Sequence, residues 1–138
     1  GYEFGTVAGR LKRLEADLPR MKKRLAALNP PPVGPMPLLI GGSGRTITLR
    51  LVAEHADAWN CFGPPENVAE LSAILDDWCA KVGRDPSEIE RTVSIGPDDV
   101  EDVGRYVDLG VDHLVVGTGD PFDLGPLERL IAQRDALG

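Results

Sequence analysis

Apolar positions recur along the chain with one period at its start and another beyond residue 37. Between Val7 and Leu28, the residues Leu11, Leu14, Leu18, Met21, Leu25 and Leu28 alternate spacings of three and four. That spacing predicts a helix over about 7–28 with a single apolar seam. It would suit a coiled-coil dimer, but packing against the rest of the domain is the expected use. Pro19 interrupts the seam, and its missing amide and bulky ring predict a kink or restart. Residues 29–37 are rich in proline and read as a stiff, helix-free connector. From residue 38 short apolar runs alternate with helical stripes. Strands are expected at Leu38–Ile40, Asp57–Phe62, Arg91–Ile95 and Asp112–Gly117.

The segments between them show helical periodicity. Thr46–Ala56 places Leu49, Val52, Ala53 and Ala56 on one face. A helix opened by Pro64-Pro65-Glu66-Asn67 carries Val68, Leu71, Leu75, Trp78 and Val82 as its buried stripe, with Gly83 as its C-terminal cap. Asp98-Asp99 caps another, with Val100, Val103 and Val107 inward and Gly110 at its end; Leu127–Ala136 is the last. The string βαβαβαβα predicts an α/β domain, residues 1–138, built on a parallel sheet covered by helices. An open doubly wound sheet and part of a (β/α)8 barrel give the same string. They differ in strand order, which reverses in the former and follows the sequence in the latter. With 138 residues the chain falls short of the ~250 typical of a complete barrel.

Charge narrows the partners. The net charge is -7, which argues against general nucleic-acid binding. The distribution is uneven: residues 1–28 hold seven Lys or Arg (Arg10, Lys12, Arg13, Arg20, Lys22, Lys23, Arg24) against Glu3, Glu15 and Asp17. This basic stretch reads as a solvated helix face or a dock for an anionic partner. No run approaches a membrane span, and no secretory signal is recognisable. Cys61 and Cys79 stand alone without a CxxC or paired His, so reduced thiols in a cytoplasmic protein are expected, with no metal site.

In parallel α/β folds ligands collect beyond the C-terminal strand ends. Three loops fall there. Gly41-Gly42-Ser43-Gly44-Arg45-Thr46 joins strand to helix; its glycines permit close backbone approach, the helix start offers unpaired amides, Ser43 and Thr46 add hydroxyls, and Arg45 a charge. It matches neither the Walker nor the dinucleotide spacing. Trp59 and Asn60 are candidates to contact a planar heterocycle, with Trp59 equally readable as core and Cys61 as an inert buried thiol. Gly117–Phe122 would line the same rim, or serve as a turn. His55 and His113 lack partners at a telling spacing and read as structural, so no catalytic residue is named.

Residues 37–46, Pro-Leu-Leu-Ile-Gly-Gly-Ser-Gly-Arg-Thr, followed by Thr48–Asn60, resemble the central signature of the luciferase-like monooxygenase superfamily. The likeness is strongest to its F420-dependent actinobacterial branch. Lys81–Arg91 is similar to that branch's connector, Val103–Val116 to its last helix and strand, and Tyr2–Thr6 with Arg10–Leu14 to the helix before the signature. The resemblance implies the C-terminal half of a TIM-type (β/α)8 barrel, its last four strands preceded by a helix. It implies an oxidoreductase or monooxygenase using F420 or FMN, with the flavin or deazaflavin phosphate on Gly41, Gly42, Ser43 and Gly44. The family's first four strands and usual dimer-forming region have no counterpart here.

A half-barrel leaves sheet edges exposed, so the expected partners are a homodimer or the complementary N-terminal half. The competing expectation is a non-enzymatic α/β module that binds an anion or a protein partner.

Overall fold

The computed structural model describes residues 3–137; Gly1, Gly138 and Tyr2, the first residue of the opening likeness, lie outside it. The chain folds as α1 (Val7–Ala26), β1 (Leu39–Gly41), α2 (Thr48–His55), β2 (Ala58–Phe62), α3 (Pro65–Val82), β3 (Glu90–Ile95), α4 (Val103–Asp108), β4 (His113–Val116) and α5 (Gly125–Leu137). Short 3-10 turns at Pro86–Glu88 and Asp99–Asp102 precede β3 and α4. The four strands form one parallel sheet in the order β1-β2-β3-β4. Sequential order without reversal is the arrangement of half a (β/α)8 barrel and excludes the doubly wound alternative.

The pairing register sorts the side chains. Ile40, Trp59, Cys61, Val93 and Ile95 face the helices and are buried with Leu49, Val52, Ala53, Val68, Leu71, Leu75 and Tyr106. Gly41, Asn60 and Thr92 pair at one level, and Phe62, Ser94 and Val115 at another. Because successive strand residues alternate faces, this second set lies on the face that the helices leave open. Leu39, Phe62 and Val115 are exposed there.

Several elements depart from the sequence expectation. α1 runs unbroken through Pro19 and ends at Ala26 rather than Leu28. Proline removes only the one helical bond its amide would donate, and capping at Thr6, whose hydroxyl accepts from the Gly9 amide at 3.1 Å, secures the helix start. Of the seam only Leu18 is fully buried. Leu14 packs against the core's margin, while Met21 and Leu28 are exposed. Leu11 and Leu25 are half-buried, and α1, at 20 residues, is much longer than the 8-residue α2 it packs on. The Arg50 guanidinium ties the two helices, donating to Glu15 at 2.6 Å and Glu54 at 3.0 Å. α2 itself starts at Thr48, two residues late, because the glycine turn extends to Ile47.

α3 follows the expected stripe as far as Leu75, with Trp78 half-buried and Val82 exposed in the last turn. Gly83 caps it in the left-handed conformation, φ 74°. In α4 the inward position is Tyr106, fully buried, and Val107 faces solvent. The preceding 3-10 turn winds three residues per turn rather than 3.6, which rotates the helix relative to an unbroken α pattern.

Candidate functional site

Two features occupy the C-terminal rim of the sheet. Over β1 stands the turn Gly41–Ile47 leading into α2. Gly42 has φ +134°, a conformation that side chains disfavour, and its amide donates to the Asn60 carbonyl at 2.9 Å. A Cβ at Gly44 would come within 2.5 Å of the Thr48 hydroxyl, so a side chain there would force Thr48 or the turn to shift. Leu49 N–H bonds back to the Gly44 carbonyl at 3.0 Å. Among the described residues no protein acceptor takes the amides of Ser43, Gly44, Arg45 or Thr46, and no side chain caps α2. Unpaired amides at an uncapped helix start are able to receive an oxyanion.

Two tryptophans hold this turn from behind. Trp59 Nε1 donates to the Gly42 carbonyl at 2.9 Å, and Trp78 Nε1 to the Arg45 carbonyl at 2.8 Å. Trp59 is fully buried on the helix-covered face, so its ring has no surface for stacking on a heterocycle. The core alternative is the one realised, and its link to the site is the indole N–H. Arg45 points along the surface into a two-bond pair with Glu70, at 2.5 and 2.8 Å, and so does not clamp the turn. Trp78's bond to Arg45 had no signal in the sequence, where Trp78 reads as stripe.

Over β2, β3 and β4 opens a cleft of about 790 Å³ lined by Phe62, Gly63, Pro64, Ser94, Ile95, Gly96, Asp99, Val115 and Gly117. Gly117 alone of the third candidate loop reaches it, and Phe122 is exposed to solvent. Asn60 sits below the cleft on the open face. Its amide donates to Thr92 Oγ1 at 2.8 Å, and its carbonyl oxygen accepts from Ser94 Oγ at 3.2 Å. The Asn60 side chain thus meets other side chains of the open face, and only its backbone carbonyl touches the glycine turn.

The remaining candidate groups have structural surroundings. Burial pushes the Cys61 thiol up to about 11 and raises that of Cys79 as well, so both are protonated and unreactive at neutral pH. His55, half-buried, is held below its ordinary value by desolvation first and by nearby Lys22 second. His113 lies at the opposite, N-terminal end of β4, paired with Glu90. Among the described residues no group of three or more His, Cys, Asp or Glu is placed to hold a metal ion, and no helix is long and apolar enough to cross a membrane.

Comparison with known proteins agrees with this architecture. An uncharacterized protein of Mycobacterium bovis and two uncharacterized proteins from strains of Mycobacterium tuberculosis are each 31% identical to the chain over 112 residues. The match covers 80% of this chain but 36% of each relative, so the chain spans little more than a third of their length. Residues 9–97, which include α1 from its third residue, the glycine turn and the first three strands, match the family model described as luciferase-like monooxygenase. The chain belongs to the luciferase-like monooxygenase family.

Proposed function

We propose that this chain is the C-terminal half-barrel of an F420- or FMN-dependent luciferase-like oxidoreductase, and that residues 41–46 receive the cofactor's phosphate. The observation that carries the reading is the turn itself. Four consecutive amides, Ser43 to Thr46, have no protein acceptor at the start of α2, and Gly42 and Gly44 leave the backbone bare where a side chain would be strained or would overlap Thr48. The residues fit a phosphate in both chemistry and space.

When bound, the cofactor would supply the hydride chemistry, or with oxygen the oxygenation chemistry, of the family. The part of this chain's residues is to bind and orient. Gly41, Gly42, Ser43, Gly44 and Thr46 present amides and hydroxyls; Trp59 and Trp78 fix the turn's carbonyls so that those amides stay in place. Arg45 joins the anion only by leaving Glu70. Asn60 contributes through its backbone carbonyl, which anchors Gly42. No residue here is assigned a proton-transfer role.

The same reading bears on partners. α1 packs beside α2 and α5 beside α4, so helices stand outside both edge strands. Five helices on four strands leave the remaining half of an eight-helix barrel needing four strands and three helices. A complementary half of that make-up fits the open face, in this reading, better than a homodimer does, since a second copy would bring two helices to each seam.

Fluorescence titration with FMN and with F420 tests the proposal. Saturable binding that Gly42→Asp abolishes, with far-UV circular dichroism unchanged, supports it. Equal binding by the variant, or none by the parent at high micromolar ligand, rejects it and leaves the non-enzymatic anion- or partner-binding module as the better reading.

A further inference from the structure

The hydrogen-bond chain beneath the cleft has a fixed direction, and that direction limits what the cleft can hold. It starts at a backbone carbonyl. Thr92, 5% exposed, places its hydroxyl 3.2 Å from the Trp59 carbonyl oxygen, which can only accept. Thr92 therefore spends its one proton there, and its oxygen is left to accept from Asn60 Nδ2 at 2.8 Å. With the amide nitrogen committed to that side, Asn60 turns its carbonyl oxygen toward Ser94, which must donate to it at 3.2 Å. Ser94 has no second proton, so it offers the cleft lone pairs only.

The other polar groups of the cleft agree. The amides of Gly63, Gly96 and Gly117 are already bonded, to the Ser94 carbonyl at 3.2 Å, Asp99 Oδ2 at 3.0 Å and the Ile95 carbonyl at 3.1 Å. Pro64 has no amide proton. Asp99 is a carboxylate. The remaining lining side chains, Phe62, Ile95 and Val115, are apolar.

We infer that the cleft over β2–β4 is a binding site for a neutral or cationic, apolar-bodied ligand that donates an N–H or O–H to Ser94, and that Ser94 is its specificity-determining residue. An anion meets Asp99 and finds no free donor on Ser94 or on the amides of Gly63, Gly96 and Gly117. A neutral carbonyl-only molecule covers the half-buried Ser94 oxygen without giving its lone pairs a donor, and an acceptor that loses its water without a replacement discriminates against an otherwise matched ligand. The rim is then divided, with anions received over β1 and donors over β2–β4. The inference does not depend on the glycine turn binding phosphate.

Three probes of matched size separate the possibilities on the purified chain: benzamide, which donates N–H; methyl benzoate, which does not; and benzoate, an anion. Amide chemical-shift titrations at Gly63, Gly96 and Gly117 report the cleft. Inorganic phosphate followed at Ser43–Thr46 reports the turn separately. Benzamide is expected to bind at millimolar concentration, about five-fold more tightly than methyl benzoate, with benzoate weakest.

Ser94→Ala should bring benzamide and methyl benzoate to equal affinity. Thr92→Val removes the anchor, so the Asn60 amide can turn over and Ser94 can donate; methyl benzoate should then gain on benzamide. Neither probe binding, benzoate binding as well as benzamide, or an unchanged preference in Ser94→Ala would each overturn the inference. Thr92→Val keeping the wild-type preference while retaining its fold would refute the directed chain.

Discussion

Gly63 and Tyr106 form a pair whose energetics can be worked from the structure. Tyr106 is fully buried in α4, and its hydroxyl has no hydrogen-bond partner in the protein. It lies against Gly63 at the end of β2, where a Cβ would overlap the hydroxyl oxygen; the next neighbours, Tyr106 Cζ at 3.6 Å and Ile95 Cγ2 at 3.8 Å, are at ordinary contact. Gly63→Ala should therefore cost about 1–3 kcal/mol, the range for overpacking a filled site. Tyr106→Phe deletes a buried hydroxyl without a protein partner and should be neutral to stabilising by about 1 kcal/mol. In the Phe background the alanine methyl finds only ordinary contacts, so Gly63→Ala becomes nearly silent. The double-mutant cycle should give a coupling of about 1–3 kcal/mol. For a chain of this length 1 kcal/mol moves Tm by about 3–4 °C, so thermal or urea unfolding resolves it. An equal cost of Gly63→Ala in the Tyr and Phe backgrounds would refute the steric account. A Tyr106→Phe loss above about 1 kcal/mol would show that the hydroxyl is bonded, by water or otherwise.

Three further outcomes are expected. Trp59→Phe removes the indole bond to Gly42 and part of the packing under the turn; it should cost about 2–3 kcal/mol in urea unfolding and weaken phosphate shifts at Ser43–Thr46. Cys61 is neutral in the fold and its thiol is raised from an ordinary 9.0 to about 11, so its contribution to stability is whole below pH 9 and is lost as pH climbs toward 11. Unfolding midpoints of the parent should fall over that window more steeply than those of Cys61→Ala; parallel curves would contradict it. His55 is held below its ordinary 6.5, so folding favours its neutral form and the associated stability, present above pH 6.5, declines as pH drops through the folded value. Lys22→Gln should raise the His55 titration midpoint seen by NMR, and an unmoved midpoint would exclude Lys22 as a cause.

The parallel sheet was legible because its signals are local. Short apolar runs bounded by glycine and proline, separated by stripes of helical period, placed all four strands within two residues of where they form. The glycine turn was equally plain, since Gly41–Gly44 sits between a strand pattern and a helix pattern and few other uses need so much bare backbone. Where the reading failed, a distant contact or a change of period was responsible. Pro19 looked like a break because a local rule cannot weigh the capping at Thr6 and the Arg50–Glu15 pair that hold α1 together. Val107 took Tyr106's place because one 3-10 turn, invisible in the spacing, rotates α4.

The rim shows a deeper limit. Trp59 and Asn60 are neighbours in sequence and were natural to group as one contact surface, yet strand alternation sends them to opposite faces of the sheet. One then supports the turn from the core through a single N–H, and the other becomes the middle of the chain from Trp59's carbonyl to Ser94. That chain joins residues 32 to 34 positions apart, and nothing in the period of either strand announces it. Its sense is set by an atom every residue shares, a backbone carbonyl that cannot donate. Composition shows which polar side chains are present; only their pairing across strands shows which protons are already spent, and selectivity at the cleft follows from the ones that are.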